Sequence, residues 1–283
     1  MQSLKAFSAT CASAVFVLAA ASTPLHAQPA NPSSAAPGPA AGSMAPLPGA
    51  MTEKLADAKP GELRVFASAA MYLPLESVRK QAESAVGAPV RIQYGSARGD
   101  LKSHISDGQA FDVAILLPDV IHDPGVASKV DPHEYPLATI PVGIAMRGDA
   151  PSPDVSTPAA LRTALLNSRA VKYAPTGAAR ATVDRVLSSL GVADKINDVS
   201  GVLSNVTLAP GEYEIDFFPI SEILPNHRLK NLGLVPEPLQ VPVQIEAVIA
   251  RGADVGAAQA FVRFLEGPAI DPQLKSSGMV KAR

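Results

Sequence analysis

A buried strand that breaks into a helix through residues with almost no side chain constrains this chain more than any other feature. It stands at residues 61–85, GELRVFASAAMYLPLESVRKQAESA. Residues 63–67 form an apolar run broken only by Arg64, Ser68-Ala69-Ala70 is a small-residue turn, and Met71, Leu75, Val78, Ala82 and Ala85 recur at helical spacing. The first N–H groups of such a helix have no intrahelical acceptor, and together with the positive end of the helix dipole they make a ready anion site.

The same grammar repeats. A strand at residues 90–94 leads through Gly95-Ser96-Ala97-Arg98-Gly99 into a helix from about Asp100, and a strand at 111–117 leads into a short helix near Pro118. A strand at 171–174 runs through Pro175-Thr176-Gly177-Ala178-Ala179-Arg180 into a helix ending at Leu190-Gly191. Residues 199–206 and 213–218 read as strands, and 219–224 as a short helix stopped by Pro225. Strand and helix alternation implies an α/β fold with right-handed crossovers, in which ligands gather at the carboxyl ends of strands. Two apolar stretches interrupted by proline, 137–146 and 239–250, read as strands crossing between two lobes. Thr157 before Pro158, and Asp254, are expected helix caps.

Composition narrows the function classes. The chain has 283 residues, 47% of them hydrophobic, which is enough for a large core. Its formal charge of −2 without basic runs excludes phosphate tracking along nucleic acid. Residues 1–27 read as a cleaved secretory signal peptide, with Lys5, an apolar core at 12–21 and a Pro24-Leu25-His26-Ala27 cleavage site. The sole cysteine, Cys11, falls inside that segment, so the mature chain is expected to have no thiol chemistry. Residues 28–60, rich in Pro, Ala, Gly and Ser, read as a disordered linker. The five histidines show no paired metal-ligand spacing, and neither a P-loop nor a GxSxG elbow is present.

Taken in order, LRVFASAA, QYGSARGDL, FDVAILLPDVI, the corner at 175–180, EIDFFPISEILP and AFVRFLEGPA resemble the type II periplasmic solute-binding proteins. Within them the chain is most similar to the molybdate-binding-protein-like branch of ABC transporter receptors, over residues 61–283. The resemblance implies a two-lobed α/β periplasmic-binding-protein-like fold. Each lobe would be a mixed, mostly parallel sheet flanked by helices, with a two-strand hinge between them. Lobe 1 would comprise 61–138 plus 243–283, and lobe 2 would comprise 139–242. The implied protein is a periplasmic monomer without cofactor, metal or catalytic residues. It would capture a small anion, a carboxylate or an oxyanion such as molybdate, in the interlobe cleft and deliver it to an ABC permease. Carried over, the ligand-binding residues are Ser68, Ala69 and Ala70; Ser96, Ala97 and Arg98; Ala178, Ala179 and Arg180; and Asn205.

The chain departs from that pattern where Ala70 replaces a hydroxyl, Arg98 a small residue, and Pro219 the tyrosine of molybdate receptors. Arg98 and Arg180 stand at helix starts, where the dipole opposes a cation unless a bound anion compensates. Arginine forks match carboxylates, which points to a carboxylate over a tetrahedral metal oxyanion. Thr176 and Ser221 read as helix caps. The alternative is a periplasmic isomerase of a small polycarboxylate, since aconitate isomerase resembles the same branch. Its general base would come from Tyr94, Asp100 or Glu222, which form no compelling pair.

Overall fold

A computed structural model describes residues 53–200 and 206–282. The signal-peptide segment, residues 28–52 of the linker and Asn205 lie outside the described residues. The fold is two-lobed α/β. The first lobe is built on a six-stranded sheet in the order β10-β4-β9-β3-β1-β2, the second on a four-stranded sheet in the order β6-β7-β5-β8. In the first, β1 (Leu63–Ser68) runs parallel to β2 (Val90–Gly95) and β3 (Val113–Leu116), while β9 (Val243–Ile249) lies antiparallel between β3 and β4 (Tyr135–Ile140). β10 (Val280–Lys281) closes the edge beside β4. In the second, β6 (Ala170–Tyr173) is parallel to β7 (Tyr213–Pro219), and β5 (Val142–Gly148) is antiparallel to both β7 and β8 (Lys230–Leu234).

Local chemistry explains the elements. The apolar stripe foreseen on α1 (Tyr72–Val86) buries Leu75, Val78 and Ala82, and the helix packs against α8 (Val255–Glu266). Asp254 caps α8 by accepting from the N–H groups of Gly256 and Ala257, and Thr157 caps α5 (Pro158–Asn167) from Ala160. α6 (Arg180–Leu190) ends at left-handed Gly191, with φ 60.

The structure departs from the sequence reading in several places. Each proline-bearing crossing stretch is two elements, because proline cannot donate to a ladder. β4 ends and β5 begins on either side of Pro141, and a 3-10 turn (Glu237–Leu239) precedes β9. Antiparallel pairs outnumber parallel ones, since the strands that bring the chain back and forth between the sheets run against β3 and β7. The strand expected at 199–206 is not seen in its described part: Asp198, just before it, makes an isolated bridge to Val171, Val199 N–H donates to the Val171 carbonyl at 3.0 Å, and 201–205 lie outside the described residues.

The packed chain also begins before Gly61. A 3-10 turn (Leu55–Asp57) buries Leu55 to 3% exposure, Leu55 N–H donates to Gln93 Oε1 at 2.9 Å, and Glu53 pairs with Arg79 at 3.0 Å. One leucine and one ion pair suffice to draw residues 53–59 out of a linker composition that otherwise lacks apolar anchors.

Candidate functional site

Because β1, β2 and β3 are parallel, their carboxyl ends share one edge of the first sheet. Those of β6 and β7 share an edge of the second. The two edges face each other across the cleft, and four segments meet there: Ser68 to Met71, Ser96 to Leu101, Ala174 to Ala179, and α7 (Ile220–Ile223).

At the first corner Ser68 precedes a 3-10 turn (Ala69–Met71) that leads directly into α1. Ser68 is 3% exposed, yet its hydroxyl makes no capping hydrogen bond. Ala70 is buried and Ala69 half-buried, so small side chains leave the turn's backbone open to whatever occupies the cleft. α7 packs on this turn from the second lobe.

The second and third corners touch each other directly. Ser96 Oγ donates to the Thr176 carbonyl at 2.8 Å and lies 3.0 Å from Thr176 Oγ1. Arg98 Nη1 donates to the Gly177 carbonyl at 2.8 Å. This approach depends on Gly99, where a Cβ would stand 3.0 Å from Thr176 Oγ1. The expected helix from Asp100 starts instead as a wide turn (Ala97–Leu101) distorted at Gly99, and α2 (Lys102–Ser106) follows it. Asp100 accepts the Ser96 N–H at 2.7 Å, which ties the turn down. Ala97 is buried beneath it.

The arginines are not free cations. Arg98 grips Asp119, on α3 (Pro118–Ile121), through Nε at 2.6 Å and Nη2 at 3.0 Å. Arg180 pairs with Asp184 one turn along α6 at 2.7 Å and lies 5.7 Å over the Tyr173 ring. The inference from their helix-start positions to an unmet anion is therefore corrected: a local carboxylate already compensates each one. Ala178 is half-buried and Ala179 buried at the start of α6, beside the contact with Ser96 and Arg98. Thr176 bonds across the cleft to Ser96, and Ala179 occupies the N-cap position.

α7 supplies a fourth wall that the sequence pattern only hinted at. Ser221, expected as a cap, is 4% exposed and its Oγ is enclosed with no hydrogen-bond partner. Glu222 is half-buried, and desolvation alone pushes its carboxyl up to about 7. Of the other candidate bases, Tyr94 donates its hydroxyl to Glu76 at 2.7 Å and burial drives its ionisation far upward. Asp100 is occupied by Ser96. No group of three or more His, Cys, Asp or Glu among the described residues is placed to hold a metal. A cavity of about 450 Å³, lined by Lys59, Arg64, Asp112 and Asp254, opens at the amino end of β1, away from these corners.

Known proteins share this architecture. The molybdate-binding protein ModA of Azotobacter vinelandii is 26% identical over 235 residues, covering 78% of this chain and 90% of that protein. The solved periplasmic molybdate-binding protein of Azotobacter vinelandii superposes with a TM-score of 0.56 at 18% identity, over 78% of this chain and all of the other. The sulfate-binding protein SubI of Mycobacterium tuberculosis superposes with a TM-score of 0.57 at 15% identity, over 78% of this chain and 87% of that one. At such identities the superpositions speak for the fold. No helix among the described residues is long and apolar enough to cross a membrane. The sequence model for bacterial extracellular solute-binding proteins matches residues 63–280, nearly everything the two sheets are made of, and the chain belongs to that family.

Proposed function

We propose that this protein is an exported receptor that takes up a small anion between its lobes and hands it to an ABC-type permease. The observation that carries this reading is the meeting of four strand ends across one cleft, with Ser96 and Arg98 of one lobe bonded to Thr176 and Gly177 of the other. A solute that touches both edges stabilises the closed arrangement over any open one, and that differential affinity is how a two-lobed receptor signals occupancy. Ser68, whose hydroxyl makes no capping bond, and the turn amides of Ala69 and Ala70 are the anion-facing donors. Ala97, Ala178 and Ala179 keep the walls close, while Arg98 and Arg180 shape the corners rather than gripping the solute. Molybdate and sulfate receptors of the same fold support an anion as the solute class.

Melting temperature, followed during titration with molybdate, tungstate, sulfate, phosphate and di- and tricarboxylates, tests the reading. Bound solute stabilises by RT ln(1 + [L]/Kd), about 2.7 kcal/mol at a hundredfold excess over Kd. At least one anion is expected to raise the midpoint in wild type and not in Ser68→Trp, which fills the first corner. No shift with any of them sinks the proposal. Turnover of an unsaturated polycarboxylate by the purified protein would replace it with the isomerase alternative.

A further inference from the structure

The far end of the first lobe holds a concavity that the receptor reading does not use. β1 and β3 carry their carboxyl ends to the cleft, so their amino ends open on the opposite face, where β9 leaves the sheet. A cavity of about 270 Å³ lies there, lined by Arg64, Lys129 and Arg251 and, among the described residues, by no acidic side chain. Main-chain bonds fix its rim: Arg251 N–H donates to the Lys129 carbonyl at 2.8 Å, and Ala250 N–H to the Asp112 carbonyl at 2.9 Å. Asp112 holds Arg64 through Nε at 3.0 Å and Nη2 at 2.8 Å, which balances that guanidinium and leaves Nη1 unbonded among the described residues. Lys129 and Arg251 are exposed, and their side chains make no ion pair or hydrogen bond among the described residues. The N–H groups of Ala110, Phe111 and Gly252, three further lining residues, are likewise unbonded there.

One exposed cation is ordinary protein surface. Three around one concavity without a facing carboxylate are not, because a cleft of one sign focuses its field and draws in an anion. Main-chain N–H groups left open on the same wall add directional donors.

We propose that this cavity is a second anion site, separate from the interlobe cleft, and that its ligand is a phosphate group. With Arg64 balanced by Asp112, Lys129 and Arg251 leave two positive charges unmet, and a dianion cancels them. The donors stand on separate stretches of chain, at Arg64, at Ala110 and Phe111, at Lys129, and at Arg251 and Gly252. A tetrahedral oxyanion accepts from several directions at once, whereas a planar carboxylate is best met by a single fork. The exposure of Lys129 and Arg251 leaves room for a substituent on one oxygen. Free phosphate, a small phosphate ester and a lipid headgroup therefore share the chemistry.

Amide NMR of the isotope-labelled protein tests this, in a Ser68→Trp background so that the interlobe cleft does not contribute. Inorganic phosphate and glycerol 3-phosphate are titrated at pH 8, against succinate and against chloride at matched ionic strength. The cross-peaks of Ala110, Phe111 and Gly252 are expected to shift saturably with phosphate or its ester. Succinate is expected to bind about tenfold more weakly, the scale of one lost hydrogen bond to a charged group. Arg251→Gln alone should weaken phosphate about tenfold, and Lys129→Ser with Arg251→Gln should abolish the shifts. The remaining cross-peaks report whether each variant is folded. Co-sedimentation with phosphatidylglycerol vesicles that the double variant loses, without shifts from either free phosphate, assigns the group to a headgroup. Cross-peaks that ignore both phosphates while vesicles fail to bind, that move equally with chloride or succinate, or that still move in the double variant overturn the site. The receptor reading stands or falls separately, on the melting curves of wild type.

Discussion

Arg98 of the first lobe donates a hydrogen bond to the main-chain oxygen of Gly177 in the second at 2.8 Å, while the rest of its guanidinium holds Asp119 of its own lobe. One side chain therefore reads both the position of α3 and the closeness of the lobes. Arg98→Met removes the bond across the cleft, worth about 1 kcal/mol at a partly exposed site. The solute-free protein is expected to be more open by small-angle scattering, and solute affinity to fall about fivefold. An unchanged scattering profile would show that this bond does not govern closure.

Glu222 makes a pH prediction with a definite sign. Its carboxyl rises from 4.5 to about 7 on folding, so the folded chain binds the proton more tightly than the unfolded one. The stability it contributes is full below pH 4.5 and is lost as pH climbs toward 7, by about 2–3 kcal/mol. Glu222→Gln should therefore melt higher than wild type at pH 8, with the gap closing by pH 5. A gap that is constant across pH would place the carboxyl in water.

The ion pair Arg147–Glu214 makes a prediction about stability. Glu214 is 1% exposed and meets Arg147 at 3.1 Å, and Arg147 also donates to the Val206 carbonyl at 2.8 Å. Beside it Asp216 is pushed up to about 7 by burial and by Glu214. Arg147→Met strands Glu214 next to Asp216, and denaturant unfolding is expected to show a loss of about 3–5 kcal/mol. A loss under 1 kcal/mol would mean that water reaches the second sheet there.

Residues 53–59 are expected to act as part of the first lobe. Leu55→Ala should cost about 2–3 kcal/mol in chemical unfolding, as for a fully buried leucine. A chain begun at Gly61 should lose at least as much. If truncation leaves the midpoint unchanged, the Leu55 contact contributes nothing.

What could be read in advance follows from range. The turn at Ser68, the caps Thr157 and Asp254 and the stop at Gly191 are set by residues within a few positions of each other, and local patterns carry them. The partners of Arg98 were not legible because they stand 21 residues away in Asp119 and 79 away in Gly177. Periodicity carries no trace of a pairing at that distance. Glu222 was singled out only as one of three loose candidates for a general base, because its loss of water is made by the neighbouring chain and not by its own segment. Leu55 was hidden by the proline- and alanine-rich residues before it.

The position of β9 has a consequence for how the molecule comes into being. That strand lies inside the first sheet, between β3 and β4, yet it is contributed by residues 243–249, after every strand of the second sheet has been made. A chain emerging from its amino end can complete the second sheet from residues 142–234 alone. Meanwhile the inner edges of β3 and β4 wait with unpaired N–H and carbonyl groups, open to mispairing. The lobe that begins first must finish last, so assembly is slowest and most aggregation-prone in the interval before Ile249 arrives.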